Sequence, residues 1–169
     1  MANIFLIADT HFGHSRMYTD PFMLNDGTRL RPWTSHEEAD EHMIKQWNSV
    51  VKHEDRVYLL GDIVLHRRAL PVLYRLQGRK VLIKGNHDIF KLKDYLPHFD
   101  DIRAYWPLDK IMMTHIPIHP ASLGRWDGNV HGHLHKGTVG DPRYLCVSVE
   151  QVDYTPIEFS VVRKHFGRT

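Results

Sequence analysis

The chain has one cysteine, Cys146, in 169 residues, so no internal disulfide can staple it. No apolar run approaches the ~20 residues needed to span a bilayer. The stretch Ile4-Phe5-Leu6-Ile7-Ala8 is too short for a signal segment and lacks a basic flank. No lysine and arginine block stands out either: 22 basic residues against 20 acidic ones leave a formal charge of +2. A nucleic-acid partner is therefore neither required nor excluded. No internal repeat, low-complexity tract or Pro/Gly linker divides the sequence. These absences lead us to expect a cytoplasmic, soluble protein without membrane contact, folded as a single domain over residues 1–169. At 42% hydrophobic and 25% charged residues the chain can bury a core of ordinary size. Its unusual feature is histidine, which occurs 14 times.

Residues 4–8 read as a buried strand ending at Asp9, followed by a polar loop over roughly 9–33 that holds Pro21, Gly27 and Pro32. Ser35-His-Glu-Glu38 is a capping-box signature and opens a helix to about Val51, with Met43, Trp47 and Val50 on one face. Arg56–Leu60 is a second strand, ending at Gly61-Asp62. A helix is expected around Ala69–Gln77, beginning near Pro71. Lys80–Lys84 is a third strand, ending at Gly85-Asn86. This order predicts a parallel sheet with its site at the strand C-termini. In the second half, Ile102–Trp106, Lys110–Thr114, Tyr144–Val149 and Ile157–Val162 read as strands with few helices between them. That predicts a second, antiparallel sheet packed on the first, with helices outside, in an α/β fold.

The informative pattern is a set of donors in separate pieces and fixed order. It reads Asp9-Thr-His11, Gly61-Asp62, Gly85-Asn86-His87-Asp88, His115 and Gly132-His133-Leu134-His135. Asp9 and His11, two apart at a strand end, are expected to point the same way. Asp62 has two oxygens and can bridge two ions, and Asn86 offers a neutral carbonyl. His133 and His135 can approach the same centre from another loop. Two divalent ions carry four positive charges, of which Asp9, Asp62 and one bridging hydroxide remove three. The remainder suits an anionic phosphate ester. His87 can protonate the leaving oxygen, with Asp88 helping to orient it.

These residues resemble the pattern of the calcineurin-like metallophosphoesterases: D-x-H, G-D, G-N-H-[D/E], H and G-H-x-H, every element present in order between residues 9 and 135. Ile7-Ala-Asp-Thr-His-Phe-Gly-His14 and Trp47-Asn-Ser-Val-Val-Lys also look like a compact bacterial and phage-type subgroup, with Ala8 where a serine is usual. The resemblance implies a four-layer αββα sandwich of two mixed sheets and a dinuclear centre, here without a cap domain. It implies that Asp9, His11, Asp62 and His135 bind one ion, that Asp62, Asn86, His115 and His133 bind the other, and that His87 is catalytic. Mn²⁺ is the first metal implied; Fe²⁺, Zn²⁺ and Ni²⁺ also suit mixed His, carboxylate and amide donors.

The expected activity is metal-dependent phosphoester hydrolysis by a dinuclear-metal-activated hydroxide, with phosphodiesters preferred and phosphomonoesters allowed. The substrate is a phosphate ester, nucleotides included. The alternatives are a nuclease acting on DNA or RNA and, behind it, a non-catalytic scaffold of the same fold. Substrate contacts are assigned to His14, Arg67 and Arg125, with His66, Arg68 and His119 as neighbours of the same loops. His131 reads as structural rather than as a ligand, and Cys146 as a small buried residue.

Overall fold

The computed structural model describes residues 2–20 and 22–168; Pro21 of the first loop lies outside them. Strand β1 (Ile4–Ile7) leads into a long loop that contains a single helical turn, α1 (Arg16–Thr19), and then into α2 (His36–Val50). The Ser35 hydroxyl accepts the Glu38 backbone N–H at 3.2 Å, which caps α2 as expected. Met43 and Trp47 face inward from this helix. Strand β2 (Arg56–Leu59) precedes a 3₁₀ helix over Arg67–Arg75, in place of the helix expected over 69–77. Pro71 lies inside that segment and has no N–H to give a carbonyl one turn back, which interrupts an α-helical ladder there. Strand β3 (Arg79–Ile83), the short helix α3 (Leu92–Tyr95) and strand β4 (Asp101–Arg103) follow.

The second half departs further from expectation. The strand expected over 102–106 is two strands, β4 in the first sheet and β5 (Trp106–Leu108) in the second. After β6 (Ile111–Met113) comes a strand the sequence did not reveal, β7 (Gly128–His131), then β8 (Tyr144–Cys146). Only two residues, β9 (Ile157–Glu158), remain of the last expected strand, and α4 (Phe159–His165) replaces the rest. Phe159, Val162 and Phe166 recur at helical spacing and pack together in the core between the sheets, which overrides the β-branched look of Val161-Val162.

The first sheet has the order β4-β3-β2-β1-β9 and is parallel except for β9; the second has the order β5-β6-β7-β8. In the second sheet only β5 and β6 are antiparallel, whereas β6-β7 and β7-β8 are parallel. The expected antiparallel pairing is thus corrected: the long loops 114–127 and 132–143 make the crossovers that helices usually make.

Side chains alternate along each strand of the first sheet. Phe5, Ile7, Val57, Leu59 and Leu82 pack under α2 and the 3₁₀ helix. Leu6, Ala8, Tyr58, Leu60, Val81 and Ile83 meet Ile111, Met113 and Val130 of the second sheet. Outside the second sheet lies the loop after β6, where Ile118 accepts the Tyr144 hydroxyl at 2.8 Å and gives its N–H to Asn129 at 3.0 Å. The result is the α/β sandwich of two mixed sheets. Among the described residues no helix is long and apolar enough to cross a membrane.

Candidate metal centre

Parallel strands end at the same edge, so β1, β2, β3, β6 and β7 deliver Asp9, Asp62, Asn86, His115 and His133 to one place. The loops that carry them are bonded to each other. Asp9 N–H donates to Gly61 O and His11 N–H to Asp62 O, both at 3.0 Å. Asp9 and His11 do not converge by the extended i, i+2 rule. Both lie in the left-handed region, with φ of 59° and 48°, as do Asp62 at 55°, His133 at 69° and His135 at 50°. Each such non-glycine conformation costs on the order of 1–3 kcal/mol and persists where the surroundings over-determine it. The glycines answer a need for close approach. A Cβ on Gly132 would lie 2.5 Å from Asp9 Oδ2, and one on Gly85 would overlap the Asp62 carboxylate.

The donors form two groups, Asp9-His11-His135 and Asp62-His115-His133, each with its ligand atoms within 4.8 Å of one another. Asp62 joins the groups: its Oδ2 is 3.9 Å from His11 Nε2 and 3.3 Å from His115 Nε2. Asn86 Oδ1 is 2.8 Å from His115 Nε2. His135 stands in the first group and His133 in the second.

Donor chemistry fits a pair of cations. Asp9 Oδ1 and His11 Nδ1 are buried without a hydrogen-bond partner, an expensive state for polar atoms unless something charged meets them. His115 Nδ1 lies 2.7 Å from the Leu60 carbonyl and donates to it, which leaves Nε2 as the ring atom turned to the group. Burial, then Arg31, holds His11 well below the ordinary imidazole value, so it is neutral and able to ligate. Burial pushes Asp9 up, against the Ser148 hydroxyl and the His135 charge. Burial also acts to raise Asp62, but the His115 hydrogen bond and charge and the His87 N–H outweigh it and hold the carboxyl below its ordinary value.

Sequence reasoning missed a buried pair behind the first group. Arg31 Nε donates to Glu150 Oε1 at 2.7 Å, and both side chains are fully buried. The same guanidinium donates to the carbonyls of Asp9 and Thr10, while both Glu150 oxygens lie 3.1 Å from His135 Nδ1. Glu150 is held down at about 2; burial opposes this, and Arg31 and His135 prevail. The carboxylate thus fixes which His135 nitrogen bears hydrogen. No local signal could have found these residues: Arg31 sits in a polar loop, and 119 positions separate it from Glu150.

The remaining expected residues divide. His87 is exposed, gives its backbone N–H to Asp62 Oδ1 at 2.8 Å, and has its ring 5.7 Å from that of His11. Asp88 is buried and accepts the N–H groups of Asp62, Ile63 and Gly85 at 2.8–3.1 Å. It therefore holds the Asp62 turn, and among the described residues no hydrogen bond joins it to the His87 ring. His14 is beside the site, its ring 5.9 Å from that of His11, and is held down at about 4 by burial, then by His66 and Arg31. Arg67 pairs with Asp94 at 2.9 Å and covers Phe90, while exposed Arg125 lies over Trp126. His119 Nδ1 accepts the Ala121 N–H at the start of a short turn. His131 is buried against the Gly132 carbonyl and belongs to neither group.

The sequence model described as calcineurin-like phosphoesterase matches residues 2–161. An uncharacterized protein of Methanocaldococcus jannaschii is 31% identical over 97% of this chain and 91% of its own length. The gene 66 protein of Mycobacterium phage D29 is 27% identical over 89% of each chain. Among solved structures, a protein of unknown function from Aquifex aeolicus superposes with a TM-score of 0.70 at 25% identity, over 97% of this chain and 99% of that one. An archaeal phosphodiesterase shares the fold at a TM-score of 0.51 and 16% identity, over 86% and 82% of the two chains.

Proposed function

The chain belongs to the calcineurin-like phosphoesterases, and from that premise we propose that it is a metal-dependent hydrolase of phosphate esters that prefers diesters. The observation that carries this reading is the pair of donor groups joined through Asp62. Asp9, His11, His135 and Asp62 would hold one divalent ion, and Asp62, Asn86, His115 and His133 the second. Two ions so held supply positive charge to phosphate oxygens and lower the pKa of a water toward neutrality. Mn²⁺ is proposed first, with Fe²⁺, Zn²⁺ and Ni²⁺ compatible with the same mixed donors.

The rest is work for the protein's own side chains. Asp9 and Asp62 are the only carboxylates in the donor set, so the loaded site keeps net positive charge and attracts an anion. Asp88 fixes the Asp62 turn through three amides, which holds the shared carboxylate in place. The exposed ring of His87 would give a proton from a ring nitrogen to the ester oxygen as its bond to phosphorus breaks, while water gives its oxygen to phosphorus and its displaced proton to solvent. A singly charged diester suits an open site in which the exposed His87 is intact to serve the leaving oxygen.

The test uses metal-stripped protein given Mn²⁺, Ni²⁺, Zn²⁺ or Mg²⁺ separately, with a chromogenic diester beside its monoester. Diester cleavage restored by metal and lost in Asp62→Asn and His87→Ala is the expected result. Absence of turnover with either ester, despite bound metal, would overturn the proposal.

A further inference from the structure

Beside the donors, on the Asn86 and His115 side, lies a groove of about 570 Å³. That volume is within the roughly 300–1,000 Å³ of small-molecule sites. Tyr105, Met112, Ile116 and Ile118 make its surface mainly apolar. Tyr105 is 58% exposed and Ile116 is 51% exposed, so two large apolar side chains stand open to water next to the reacting centre. The Thr114 hydroxyl is already spent on the Ile116 carbonyl at 2.7 Å and adds little polarity. Lys84, two residues before Asn86, lines the groove and enters no ion pair among the described residues. The His87 ring lies toward the other donor group, against His11.

Resting on the phosphoesterase reading above, we infer that this groove binds the ester arm that stays on phosphorus, and that this arm is flat and apolar: an aryl group or a nucleobase-bearing nucleoside. The departing oxygen belongs on the His87 side, because His87 gives it a proton. The retained arm then faces Asn86, His115 and the groove. Tyr105 offers a ring for stacking, Ile116 and Ile118 exclude water from the arm, and Lys84 meets the charge on the phosphate oxygens. A short alkyl arm would leave this surface wet.

The test keeps the leaving group constant. Mn²⁺-loaded protein is given the thymidine 5′-, phenyl and methyl diesters of p-nitrophenyl phosphate. The thymidine and phenyl esters are expected to exceed the methyl ester in kcat/KM by about tenfold, carried by KM, as one stacking contact requires. Tyr105→Ala and Ile116→Ser, both at exposed positions, are expected to collapse that ratio. Thymidine above phenyl identifies a nucleoside arm, and equality of those two identifies any flat arm; both outcomes sustain the inference. Equal rates for all three esters would overturn it and leave the phosphodiesterase reading standing. Cleavage of none would overturn that reading instead. Binding of thymidine 5′-monophosphate, followed by NMR, then decides the groove: shifts at Tyr105 and Ile116 sustain it, and their absence refutes it.

Discussion

Arg31→Met is the most informative single change outside the donors. It removes the guanidinium paired with Glu150, a carboxylate with no solvent exposure. Breaking such a buried pair costs about 3–5 kcal/mol, against a typical total stability of about 5–15 kcal/mol. It also takes hydrogen from the Asp9 and Thr10 carbonyls, so the D-x-H turn loosens. The downward shift of Glu150 to about 2, held against burial by Arg31 and His135, points the same way. Its sign is that of a depressed acid: the stabilisation is full above about pH 4.5 and is lost as pH falls toward 2. Urea denaturation at pH 7 should therefore place Arg31→Met about 3 kcal/mol or more below the wild type. The double variant Arg31→Met/Glu150→Leu should recover much of that loss, because two apolar groups replace two charges. It should not restore metal affinity, since Glu150→Leu takes away the acceptor of His135 Nδ1. Equilibrium dialysis with Mn²⁺ should show affinity reduced by about 10–100-fold, the usual cost of losing a partner behind a ligand. A loss below about 1 kcal/mol in Arg31→Met, or wild-type Mn²⁺ affinity in the double variant, would refute the reasoning.

Three further outcomes follow from the same geometry. Gly85→Ala should abolish ester cleavage and weaken Mn²⁺ binding with the circular dichroism spectrum preserved, because the new methyl overlaps the Asp62 carboxylate; retained activity in the Gly85→Ala variant would contradict this. His133→Gln should lower Mn²⁺ affinity by more than about 100-fold and His131→Gln by less than about threefold, as dialysis would show, since only the first ring stands among the donors. Asp40, whose carboxylate accepts the Gly13 N–H at 2.9 Å, is pushed up to about 6 by burial. Its folded value lies above its unfolded one, so its ionisation lowers stability as pH rises from about 4 to 6. Asp40→Asn should therefore gain about 1 kcal/mol at pH 8, discounted for partial exposure, and gain nothing at pH 4; equal urea midpoints for both proteins at pH 8 would count against it.

The first half of the fold was legible because its signals are local. An apolar run before Asp9, a capping box at Ser35 and strands ending in Gly61-Asp62 and Gly85-Asn86 each declare themselves within a few residues. The second half was less so. Gly128–His131 carries one aliphatic residue and still forms a fully buried strand, because its neighbours β6 and β8 supply the partners. The segment 157–162 looked extended until the spacing of Phe159, Val162 and Phe166 found a core to face.

The sequence by itself determined the chemical identity and order of the donors, because a family's metal chemistry constrains residue types wherever the chain runs. The tertiary structure decided the rest. It set the parallel direction of β6 and β7, which brings His115 and His133 to the edge where Asp9 and Asp62 already stand. It set the distances within that order, with Asp62 Oδ2 3.9 Å from His11 Nε2 and 3.3 Å from His115 Nε2. It also placed Arg31 and Glu150 behind His135, where a buried charge can persist only beside its opposite. Relations of that kind depend on distance in space, and residues far apart in the chain acquire it only when two sheets close on one another.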